Sequence, residues 1–162
     1  MPLVYNWLPA SDRREDNFVA GLSMGGSGAL KYALAHAEKF AAAAALSPAV
    51  RNYERLLARP EASQDKRMAN RLRNHGGKEN FLNSKENTWR MLGEMVDSAD
   101  LPRIYCACGT DDDLYDWFCE FRTYAQEIGA DITFEEIEGY GHEWRFWDLT
   151  IQKALTFFGF DE

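Results

Sequence analysis

The stretch VAGLSMGGSGAL, residues 19–30, limits what this chain can fold into more than any other. An apolar run ends at Gly21 and a helix-like pattern begins within a few residues, so the backbone must turn sharply between a strand and a helix. Glycine has no Cβ, which lets the two backbones approach closely at such a turn. Ser23 stands at that junction. It is either a nucleophile presented at a strained strand-to-helix turn or an ordinary serine in a glycine-rich loop. Gly21-x-Ser23-x-Gly25 alone does not separate these readings. A helix start here would also direct unpaired N–H groups and a positive dipole end at any developing negative charge.

The rest of the chain alternates strand and helix signals. DNFVAGLS is a short apolar strand, and GGSGALKYALAHA is the helix after it, with Ala29, Leu30, Ala33, Leu34 and Ala37 on one face. FAAAAALSP would pass for helix on propensity, but its place after a helix and before Ser47-Pro48 makes it a second strand. PRIYCACGT is continuously apolar, as a strand covered on both faces should be. DWFCEFRTYAQEIG predicts a helix burying Phe118, Phe121, Ala125 and Ile128, closed by Gly129. DITFEEIEG is a strand with polar interruptions that suit a sheet edge. The final helix runs from Trp144, with Trp147, Ile151, Ala154, Leu155 and Phe158 on one stripe. This alternation predicts one α/β domain over residues 1–162, a parallel sheet with helices on both faces.

Residues 51–100 interrupt the pattern with a polar insert, helical in pieces. Residues 51–74 hold seven Lys/Arg against three Asp/Glu. Such an insert is either a solvated amphipathic segment or a cap over a site. The chain as a whole is acidic, with a formal net charge of −8, which argues against nucleic acid or an anionic membrane as partner. Its longest strictly apolar run, residues 40–46, is too short to span a bilayer. Three cysteines form no disulfide framework, and the N-terminus lacks a basic leader region, so a cytoplasmic protein with reduced thiols is expected.

A serine hydroxyl needs a base, and the chain has three histidines. His36 falls at the end of the first helix, where it suits the dipole. His75 lies in the insert, in a helix-ending loop. His142, in EGYGHEW, follows the last strand and precedes the last helix, where the serine–acid–histidine chain order places the base. The acid that orients it should follow the preceding strand, and Asp111, Asp112 and Asp113 all do. Three consecutive side chains diverge, so they make a poor metal site without other ligands. Cys106-x-Cys108 without a second pair is weak zinc evidence. No metal or organic cofactor is expected.

With these residues in view, the chain resembles the esterase D-like branch of the α/β-hydrolases, which includes tributyrin esterases, S-formylglutathione hydrolases, feruloyl and acetyl-xylan esterases and mycolyltransferases. REDNFVAGLSMGGSGALKYAL, LPRIYCACGTDDDLYDW and EEIEGYGHEWRFWD carry the resemblance. It implies Ser23 as nucleophile, His142 as base and, from the pattern G-T-x-D, Asp112 as the acid. It also implies a cap role for the insert. The expected function is hydrolysis of small-molecule or carbohydrate-linked acyl esters through an acyl-enzyme. Acyl transfer with the same three residues, and a non-catalytic hydrolase fragment acting in assembly, are the alternatives. Tyr115, Tyr140 and Trp144 flank the site loops and either line a substrate pocket or pack into the core.

In that family the serine motif lies mid-chain, whereas here only 22 residues precede Ser23. The chain therefore resembles the C-terminal part of such a hydrolase. Met24 can supply one oxyanion N–H, and the second donor has no evident source. The strand NFVAGLS, central in the family, becomes an edge without charge, proline or bulge to guard it. A second copy of the chain, an N-terminal fragment, or residues 1–16 folding back are the expected covers, a homodimer first.

Overall fold

A computed structural model describes residues 7–59 and 65–160. Its four parallel strands are β1 (Phe18–Leu22), β2 (Ala42–Leu46), β3 (Arg103–Gly109) and β4 (Ile132–Ile137), side by side in chain order. Helix α1 (Met24–Ala35) joins β1 to β2, and α6 (Tyr115–Glu127) joins β3 to β4. Between β2 and β3 the insert forms α2 (Tyr53–Leu57), α3 (Lys66–Asn74), α4 (Lys78–Leu82) and α5 (Thr88–Met95), and α7 (Trp144–Phe158) closes the chain.

The five residues of β2 are all buried, four of them alanine. Small side chains let helices approach both faces of this strand, which overrides alanine's helix propensity. On one face Leu30 and Leu34 of α1, Leu92 of α5 and Phe118, Phe121 and Ala125 of α6 pack on Ala45, Ile104, Cys106 and Cys108. On the other, Phe146, Trp147, Ala154 and Phe158 of α7 cover Ala42, Ala44, Leu46, Tyr105 and Ala107. Gly129, at φ 73°, ends α6 in the left-handed region that glycine favours. Leu155 departs from the expected α7 stripe: it is 42 % exposed, while Phe146 and Thr150 are buried. The buried stripe thus lies on the Phe146 side of the helix, and Leu155 falls past its margin.

Three of the insert's polar residues start its helices. Side chains of Asn52, Asp65 and Asn87 accept hydrogen bonds from backbone N–H groups in the first turns of α2, α3 and α5. Its last helix joins the core, with Trp89 stacked on Tyr124 and donating to the Val50 carbonyl.

The two sheet edges differ. Along β4, Glu135 pairs with Lys153 and Glu136 with Arg122, so charge guards that edge. At β1, Phe18 stacks on Phe158 and Ala20 is exposed. Among the described residues no strand pairs with its outer side, and residues 7–16 do not do so. The part of the expected fold-back at residues 1–6 lies outside the described residues. No described helix is long and apolar enough to cross a membrane.

Candidate active site

The first turn after β1 places Ser23 at φ 55°, a left-handed conformation that L-residues seldom adopt. Its backbone N–H donates to the Leu46 carbonyl at 2.8 Å, tying the turn to β2. A Cβ on Gly21 would meet the Gly25 carbonyl oxygen at 2.2 Å, so this approach requires glycine. Gly26 is nearly as constrained, at 3.0 Å from the Leu46 carbonyl oxygen, whereas a Cβ on Gly25 would enter open space. The tight packing partner in the helix is therefore Gly26, which lies outside the Gly-x-Ser-x-Gly pattern.

Two further loops meet this turn. After β3, Asp112 is buried, while Asp111 and Asp113 are exposed. After β4, the loop carrying His142 is stitched to the β3 loop: Thr110 N–H donates to the Ile137 carbonyl and Asp111 N–H to the Tyr140 carbonyl. Gly109 makes this closeness feasible, since a Cβ there would lie 2.0 Å from the Tyr140 oxygen. His142 Nδ1 lies 2.9 Å from Asp112 Oδ2 and 3.1 Å from Oδ1. His142 Nε2 lies 2.9 Å from Ser23 Oγ.

An ionised carboxylate only accepts, so the bond to Asp112 puts the imidazole proton on Nδ1. That leaves Nε2 free to accept from the Ser23 hydroxyl. Asp112 Oδ1 also accepts from the Leu114 N–H at 2.8 Å, which fixes the carboxylate's direction. Three residues spread over the chain thus form one hydrogen-bonded relay at the C-terminal ends of β1, β3 and β4. Met24 follows Ser23 at the start of α1, where helix N–H groups lack intrahelical partners.

Trp147 belongs to this site as well as to the core. Its indole ring meets the His142 ring edge-on, with centroids 4.9 Å apart, and its Nε1–H donates to Ser47 Oγ at 3.2 Å. Ser47 is fully buried at φ 44°, a second strained residue at the end of β2. Sequence periodicity marks Trp147 only as core, because its partners lie 5 and 100 residues away.

The aromatic candidates part company. Trp144 is 74 % exposed beside Trp147 and, with Leu22, Leu46 and Ile151, lines an apolar cavity of about 230 Å³ at the β1 edge. Tyr140 is half-buried against Phe146, and Tyr115 stacks on Phe118 at the rim of the core. His36 caps α1 and His75 caps α3, away from the relay. Burial, and then the nearby Asp112 charge, push the Cys108 thiol up to about 12. Burial pushes Cys106 well up too, so neither is a nucleophile near neutral pH. No group of three or more His, Cys, Asp or Glu among the described residues could hold a metal ion.

A parallel sheet of this order, with a serine at a strained strand–helix turn facing a histidine and a buried aspartate, has the α/β-hydrolase fold. The chain belongs to the Esterase family, whose model, described as "Putative esterase", matches residues 1–158. An acetyl esterase of Caldicellulosiruptor saccharolyticus is 31 % identical over 154 residues, spanning 91 % of this chain and 56 % of the relative. Fluorophosphonate-binding serine hydrolase F of Staphylococcus aureus superposes with a TM-score of 0.77 at 28 % identity, over 97 % of this chain and 59 % of that one. An S-formylglutathione hydrolase from the same organism gives 0.71 at 26 % identity, over 97 % and 56 %. The chain thus spans little more than half the length of these relatives.

Proposed function

We propose that this chain is a serine esterase, cleaving acyl esters of small molecules or carbohydrates. Ser23 Oγ attacks the acyl carbon while His142 Nε2 takes its proton. The imidazolium then returns the proton to the departing alkoxide as the ester C–O bond breaks, leaving an acyl-Ser23. Water, deprotonated by the same nitrogen, releases the acid and restores Ser23. Asp112 keeps the imidazole in the tautomer that accepts at Nε2 and stabilises the imidazolium. The Met24 N–H donates to the oxyanion of each tetrahedral intermediate.

One observation carries this reading: the unbroken Ser23–His142–Asp112 relay, with both links at 2.9 Å. The acetyl esterase relative makes acetyl the first acyl group to try. Trp144, exposed beside Trp147, whose ring meets His142, is the aromatic best placed to meet substrate. The insert serves as a cap.

Among the described residues nothing pairs with the outer side of β1. A second copy of the chain pairs there, forming a homodimer, and a separate N-terminal fragment is the alternative.

Hydrolysis of 4-nitrophenyl acetate tests the enzymatic claim. The parent should turn it over and Ser23→Ala should not, with circular dichroism unchanged. Equal turnover by the two proteins would refute it.

A further inference from the structure

A cleft of about 440 Å³ opens at Met24, directly beside the Ser23 turn. Ser27 and Lys31 of α1 form one wall, and Arg51, Arg67 and Arg71 of the insert side form the other. Two carboxylates share the lining, and neither pairs with an arginine of the cleft among the described residues. Glu86 pairs with Lys31 at 2.9 Å. Asp65 caps α3, accepting from the backbone N–H groups of Arg67 and Met68 at 2.8 and 3.3 Å.

The three guanidinium groups have no carboxylate partner among the described residues. Arg51 lies over the Trp117 ring, 4.3 Å from its centroid, and its buried Nε has no hydrogen-bond partner among those residues. Arg71 donates to the Tyr53 hydroxyl at 2.8 Å. Arg67 adds a third guanidinium without an ion pair among the described residues. This happens in a chain whose formal net charge is −8. With Lys31 and three arginines against two carboxylates, the lining carries a positive balance, and a cleft of one prevailing sign concentrates ligands of the opposite sign. Guanidinium forks in particular match the oxygens of carboxylates and phosphates.

We infer that this cleft receives an anionic oxygen group, carboxylate or phosphate, on the ester being cleaved. The inference rests on the esterase reading and narrows it from acyl esters in general to negatively charged ones. Met24 links the two features. It contributes the oxyanion N–H at the turn and lines the mouth of the cationic cleft, so an ester on Ser23 can extend a charged arm between α1 and α3.

The test compares charged and neutral partners. One pair is 4-acetoxybenzoate and its methyl ester, with charge on the leaving group. The other is mono-4-nitrophenyl glutarate and 4-nitrophenyl butyrate, with charge on the acyl group. The deciding quantity is the charged-to-neutral ratio of kcat/KM, measured in parent, Arg67→Gln and Arg71→Gln, so that intrinsic reactivities cancel. Losing one charge-assisted contact should lower the ratio about tenfold in at least one pair, and added salt should lower it in the parent. Arg73→Gln, exposed on α3 outside the cleft, should leave it unchanged. The pair that responds tells which side of the ester carries the charge. A ratio unaltered by both cleft variants in both pairs would overturn the inference and leave the esterase reading standing.

If no ester is turned over, that reading fails on its own and binding decides. Tryptophan fluorescence of Ser23→Ala is then titrated with benzoate and with inorganic phosphate at constant ionic strength. A saturable change lost in the Arg67→Gln background supports the cleft, and its absence with both anions overturns it.

Discussion

Ser23 and Ser47 both occupy left-handed backbone conformations, at φ 55° and 44°, which cost about 1–3 kcal/mol each. Each faces a group of the site: Ser23 meets His142, and Ser47 holds Trp147, whose ring meets the same imidazole edge-on. The histidine is thus gripped from three directions, by Ser23, Asp112 and Trp147. Of the three adjacent aspartates, only Asp112 faces it. Asp112→Asn should therefore lower kcat by about four decades, by the tautomer argument known from serine proteases, while Asp111→Asn and Asp113→Asn change it only a few-fold. Kinetics of the three variants on one acetyl ester check this, and equal losses would contradict it. Trp147→Phe keeps an aromatic edge but removes the bond to Ser47. It should lower kcat more than it raises KM, as a change in His142 positioning would.

At the scale of elements, close approaches between backbones set the site. Gly21→Ala and Gly109→Ala each drive a methyl into a carbonyl. Each should destabilise the fold at the upper end of about 1–3 kcal/mol or beyond. Gly25→Ala faces open space in a helix and should be neutral or slightly stabilising. Urea denaturation of the three variants separates these outcomes. The β4 edge adds a pH-dependent contribution. Burial raises the pKa of Glu135, but hydrogen bonds from Lys153 and Tyr105 outweigh it and hold the carboxyl below the ordinary glutamate range. A depressed carboxyl stabilises the fold above its unfolded pKa, about 4.3, and that stability is lost as pH falls through the folded value. Glu135→Gln should thus lower Tm at pH 7, with the gap to the parent closing below about pH 4. A gap constant across that range would contradict it.

The strands and long helices were legible because their signals are local: apolar runs, a 3.6-residue stripe, and glycines at the right turns. Leu155 shows the limit, since periodicity marks a stripe but not where its margin falls. The need for Gly26 and Gly109, and the grip of Ser47 and Trp147 on His142, depend on segments brought together from far along the chain. No local pattern carries that information. Which aspartate turns inward is likewise a matter of side-chain direction, which three adjacent carboxylates do not disclose; only the family pattern singled one out.

For the whole molecule, the asymmetry of the sheet edges matters most. β4 is guarded by ion pairs, while β1 presents Phe18–Leu22 with an exposed Ala20 and an apolar cavity bordered by Trp144. Apolar edges invite pairing, so light scattering should report a dimer, and hydrogen exchange should find the Ala20 amide, which alternation turns away from β2, protected. A soluble monomer with that amide exchanging freely would refute the cover at β1. The central claim, that Ser23 is a nucleophile activated through His142 and Asp112, is tested most directly by a fluorophosphonate probe followed by peptide mass mapping. A single adduct on Ser23 is expected, absent in Ser23→Ala and strongly slowed in His142→Ala and Asp112→Asn. An adduct on another residue, or equal labelling of all four proteins, would contradict it.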